Sequence, residues 1–173
     1  MKVIGYYWGI CGVLALLLSA IFRLSLRVVE MLSYSISPLQ WIVLLLFALY
    51  MAYAEGYKGF HLNFSPRVVV RARYFLGRTE EYRFWHLLLA PLFCMGFIHA
   101  TRRRMITSFS VTGAIIVLVL LVSMAPQPWR GIIDAGVVLG LLIGVLSIGY
   151  FWIKSAQVES SQWVSPVPPD FPV

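Results

Sequence analysis

Residues 131–153 read GIIDAGVVLGLLIGVLSIGYFWI: twenty-three residues with one charge, Asp134, before Lys154 ends the run. At ~1.5 Å per residue a helix of that length covers about 34 Å, enough for a hydrocarbon core of ~30 Å. Gly136, Gly140 and Gly144 recur every four residues within it. That spacing puts three glycines on one helical face, a flat surface on which a second helix can approach closely. This glycine zipper predicts a helix-packing interface, with a partner helix either in the same chain or in a second copy.

Working outward, the apolar runs are 3–22, 39–54, 84–100, 105–125 and 131–153. The chain is 60% hydrophobic and 12% charged, against roughly 25% charged in soluble domains. One soluble core of 173 residues cannot hide that much apolar surface, whereas a bilayer can. The expected fold is therefore all-α, a polytopic transmembrane helix bundle forming a single domain over 1–153. The net charge of +7 would suggest nucleic acid in a soluble protein. Here the basic residues lie between apolar runs, which predicts lipid contact and no nucleic acid. The first run resembles a signal sequence, but Leu18 occupies the position where cleavage wants a small residue. It is expected to stay as a helix.

The 84–100 run contains Pro91 and reaches only about 25 Å. Counting basic residues arbitrates its role. Five spans put eight basic residues on one face and six on the other. Four spans, with 84–100 entering and returning on one face or lying in plane, give eleven against three. The four-span fold with a re-entrant segment is the expectation and five spans the alternative. Both termini would then be cytoplasmic, in a bacterial inner membrane.

Between the second and third runs, Ser65-Pro66 looks like a helix start and Gly77 a stop. A helix over 66–76 would carry Arg67, Arg71 and Tyr74 opposite Val68, Val69, Ala72, Phe75 and Leu76, as an interfacial helix does. Arg67, Arg71, Arg73 and Arg78 are therefore expected to bind anionic lipid as part of a basic cytoplasmic loop. Thr79-Glu80-Glu81 would cap the next helix. Glu55 would close the second helix and be balanced by one of these arginines. The tail 154–173, with Pro166, Pro168, Pro169 and Pro172, reads as disordered.

Few groups suggest chemistry. Arg130 and Asp134 are four residues apart, which predicts an ion pair at a helix start or, alternatively, a proton or cation site. Haem b ligation could use His61 with His86, while His99 lies at the far end of the same run as His86. No cofactor is the principal expectation. Cys11 and Cys94 lie in apolar runs and are expected to be packing residues, without a disulfide or metal site. No hydrolase, metalloprotease or phosphate-loop motif occurs, so no catalytic residue is assigned. The sequence points to a non-catalytic subunit or accessory factor acting through helix contacts, as a homo-oligomer or within a membrane complex. A small transporter or proton-translocating protein, around Asp134, Ser123 and Thr112, is the alternative.

Overall fold

The structure, a computed structural model, describes residues 2–77, 88–157 and 167. The described residues are all-helical, with α1 (Lys2–Met31), α2 (Pro38–Met51), a π-helical segment (Ala52–Phe64), α3 (Ser65–Gly77), α4 (Ala90–Cys94), α5 (Arg102–Ser123) and α6 (Trp129–Gln157). Four helices among them are long and apolar enough to cross a membrane: Val3–Met31, Pro38–Leu76, Arg102–Ser123 and Trp129–Gln157. The protein is an integral, multi-pass membrane protein built as a helix bundle.

The largest departure from the sequence reading is in the second span. The separate helices expected over 39–54 and 66–76 are one helix of 39 residues. Its start follows local rules: Ser37 accepts from the Gln40 backbone N–H, Gln40 returns the bond, and Pro38 opens the helix. Its expected stop at Glu55-Gly56 fails because Gly56 serves packing. A Cβ there would lie 2.6 Å from Ile143 Cδ1 of α6, so the glycine permits a close crossing and does not cap. Ser65-Pro66 fails as a start for a related reason. Proline lacks the donor that an α-helix interior needs and crowds the carbonyl four residues back. Here the wide π-helical turns end immediately before it, and the Ser65 N–H reaches Phe60 O, five residues back. Thirteen π-helical residues far exceed the usual single-turn bulge.

Contacts fix how the spans run. Met31 packs on Gly131 and the Tyr6 hydroxyl lies 3.4 Å from Ser155 Oγ, so α1 is antiparallel to α6. Phe47 faces Gly136 and Phe60 faces Gly144, so the long helix is parallel to α6. The first turns of α1 and the last of α6 thus share one end of the bundle. An apolar core lies at this end, where Tyr6, Ile10, Val13, Val68, Ala72, Phe75, Phe93 and Ile148 are buried together.

The described part of the 84–100 run holds only the five-residue α4, followed by a turn with Gly96 at φ +84°. Among the described residues it makes no spanning helix. Gly9 and Gly12 of α1 receive it: Cys94 Sγ would lie 2.7 Å from a Cβ at Gly9, and Pro91 fills the space at Gly12. Cys94 is the packing residue expected, whereas Cys11 is exposed on α1.

Candidate functional site

The buried face of α6 meets four polar side chains of the second span, those of Glu55, His61, Ser65 and Arg73. Gly136 faces Phe47, Gly140 faces Glu55 and Gly144 faces Phe60. A Cβ at Gly136 or Gly144 would lie 2.6 Å from the nearest phenylalanine carbon. The three glycines therefore seat the long helix of the same chain, and their face is not open to a second copy.

Glu55 makes no hydrogen bond or ion pair with any described residue. Its Oε2 has no solvent contact and no partner, and it would be 2.9 Å from a Cβ at Gly140. The glycine leaves a slot in α6 of carboxyl size. The arginine expected to balance Glu55 does not do so, because Glu55 lies inside a continuous helix more than two turns before Arg67. Lys58, one turn on, is exposed and places its ammonium 4.9 Å from the centre of the Tyr53 ring.

Further along α6, His61 Nδ1 and Ser147 Oγ share a hydrogen bond of 3.0 Å. The imidazole is stacked on Tyr57 at 5.7 Å and tilted against Phe151 at 5.3 Å. Ser65 Oγ donates to the Gly144 carbonyl at 3.4 Å. Towards the end of the helix, Arg73 donates to the Ser155 carbonyl.

At the opposite end, Asp134 is buried and its Oδ2 accepts no hydrogen bond. The ion pair expected with Arg130 does not close. Arg130 Nη1 instead donates to the Ser123 carbonyl at 3.3 Å, because the turn before α6 carries that carbonyl within reach. Gln127 Oε1 accepts from the Gly131 N–H at 3.2 Å and satisfies one of the orphan donors of the helix start.

The expected lipid-binding arginines separate. Arg71 is 1% exposed. Its Nε donates to Phe93 O at 2.6 Å and its Nη2 to Ile98 O and His99 O at 2.7 and 3.1 Å. The guanidinium also lies 4.4 Å from the centre of the Phe93 ring. Arg71 is thus a clamp that binds the 93–99 turn to α3, not a headgroup ligand, and its inward turn corrects that part of the expectation. The turn carbonyls need those donors because His99, at φ +49°, and Gly96 take the chain out of helical hydrogen bonding. Arg73 is likewise engaged inside. Arg67 keeps a partly exposed position, and Arg78 lies outside the described residues.

Of the histidines, His61 sits in the aromatic cluster on α6, His99 lies in the turn held by Arg71, and His86 lies outside the described residues. The Thr79-Glu80-Glu81 cap and all of the tail past Gln157 except Val167 also lie outside them. No group of three or more His, Cys, Asp and Glu positioned for a metal occurs among the described residues.

Sequence reasoning missed the central position of Glu55 and the docking of α4 on Gly9 and Gly12. The small pair three residues apart in α1 was a usable signal for the second. For Glu55 the Glu-Gly pair pointed the other way, towards a helix end. Comparison with protein-family models, with curated proteins and with solved structures returns no match.

Proposed function

We propose that the protein is a non-catalytic membrane subunit or assembly factor that works through helix–helix contacts, with α5 as the helix it offers to a partner. The observation that carries this reading is how little of the described chain α5 touches. Ser108 is its one buried residue. Its packing on the rest gathers in the first third, where Ser108 Oγ donates to Met95 O at 3.2 Å and Phe109 meets Phe97 edge-on at 5.1 Å. Beyond Phe109 the helix exposes Ile115, Ile116, Val117, Leu118, Val119 and Leu120. No described residue lies within 4 Å of where a Cβ at Gly113 would stand. Membrane helices associate by close packing at small residues, and the glycine face of α6 is already filled from within the chain. A partner, either a second copy or another membrane protein, therefore belongs on α5.

The same reading keeps an anionic-lipid role for the basic end of the bundle, on Arg67 and on the exposed Arg102 and Arg103. It also keeps both termini on the cytoplasmic face of a bacterial inner membrane, because, with Lys58 inside the second span and left out of the count, the basic residues favour that face by ten to three. The test is particle size in a mild detergent. Wild type should migrate as a complex larger than one chain. Gly113→Leu should reduce it to one chain, while Gly149→Leu, on α6 with open space around it, should not. A single-chain wild type, or equal sizes for both variants, would refute the reading.

A further inference from the structure

We propose that the Glu55 carboxyl, seated in the slot that Gly140 leaves in α6, is a reversible proton-binding site in the interior of the membrane. The proposal stands independently of the role given to α5.

The case rests on depth, construction and the lack of a partner. Gly140 lies eleven residues into the 29-residue α6, within about a turn of its midpoint, so the carboxyl sits near the middle of the bilayer. The slot is built: a buried glycine faces the acid, and any larger residue would put a carbon 2.9 Å from Oε2. An ionised carboxylate without a partner at that depth is strongly disfavoured, which is why such residues mark ion and proton pathways. A metal cation is a poor occupant, because it needs several oxygen ligands and the contacts of the slot supply only one carboxylate. A proton needs nothing further.

The charged groups on the elements packed against Glu55 do not neutralise it. On its own segment these are Lys58 and His61; on α6, Asp134, Arg130 and Lys154; on α3, Arg67, Arg71 and Arg73. None contacts Glu55. Along α6, Asp134 is about 9 Å towards one end and Ser147, which holds His61, about 10 Å towards the other. They are the next titratable groups on the same seam. Binding one proton converts the carboxylate to a neutral acid that the slot accepts. Releasing it leaves a charge that must swing out of the slot, and the π-helical segment moves with it. Wide helical turns of this kind commonly sit at functional positions.

The test uses the full chain in lipid vesicles with N,N′-dicyclohexylcarbodiimide. A protonated carboxyl adds across the carbodiimide: oxygen bonds to the central carbon and the proton goes to nitrogen. Where water is excluded the adduct rearranges to a stable N-acylurea that mass spectrometry locates, with no leaving group. In wild type the adduct should form on Glu55 and not on the exposed Glu30, with a rate that falls as the pH is raised. Glu55→Gln should abolish it. Gly140→Ala, which fills the slot, should slow it several-fold, while Gly149→Ala should leave it unchanged. The infrared carbonyl stretch of a protonated carboxylic acid, weaker in Glu55→Gln than in wild type because Asp134 can still contribute to it, reports the same proton without the reagent. No adduct on Glu55 at any pH, equal labelling of Glu30, a rate indifferent to pH or to Gly140→Ala, or an infrared band of the same intensity in wild type and Glu55→Gln would each overturn the proposal.

Discussion

Replacing Gly144 by alanine adds one methyl group, and the structure says where it goes. It would stand 2.6, 2.7 and 3.0 Å from Cδ1, Cγ and Cε1 of Phe60. Ordinary carbon contacts begin near ~3.5 Å, so Phe60 or the helix that carries it must move by about 1 Å. Phe60 cannot swing freely, because its ring meets Phe64 edge-on at 5.4 Å. Overpacking of this kind costs about 1–3 kcal/mol. Alanine's better helix propensity, about 1 kcal/mol over glycine, offsets part of that cost. The net expectation is a destabilisation of about 0–2 kcal/mol. Gly149→Ala supplies the control, since no described residue lies within 4 Å of its Cβ. There only the propensity gain remains. Unfolding of both variants in mixed detergent micelles, followed by tryptophan fluorescence, should separate them by about 1–3 kcal/mol, with Gly144→Ala the weaker. Equal stabilities would show that the α6 glycines do not seat the long helix, and the packing account would fail.

Arg71→Met should destabilise the protein by several kcal/mol, because three turn carbonyls lose charged donors at about 1–3 kcal/mol each; micelle unfolding midpoints would show it, and a wild-type midpoint would refute the clamp. Arg102→Gln with Arg103→Gln should lower retention of anionic lipid in native mass spectrometry by several-fold, whereas Arg71→Gln should not reduce it by removing a headgroup contact. Cys94 should resist alkylation in the folded protein, because burial pushes its thiol up to about 12 and the thiolate is the reactive form; modification before unfolding would contradict its place against Gly9.

The membrane class and the four spans were legible because they rest on composition and on length against a fixed hydrocarbon thickness. The glycine face was legible from its spacing, although the sequence left open which helix filled it. The long second helix was not legible. Glu55-Gly56 and Ser65-Pro66 are good local punctuation, and tertiary contact overrode both: Gly56 against Ile143, and wide turns ahead of Pro66. The same error hid the candidate site, since an acid read as ending a helix belongs at the membrane surface. Arg71 was misread for another reason. Its position beside Arg67 and Tyr74 fits a headgroup face, and only the fold shows three carbonyls of a distant turn converging on it.

The central claim is a four-span bundle in which the start of α1 and the end of α6 share one face. Single cysteines in a cysteine-free background test it most directly, probed with a membrane-impermeant maleimide from each side of sealed vesicles. Ser35→Cys and Met124→Cys, both exposed in turns at one end, should label from one side. Arg102→Cys and Gln157→Cys, exposed at the other end, should label from the opposite side. Labelling of position 102 from the same side as position 35 would contradict the account.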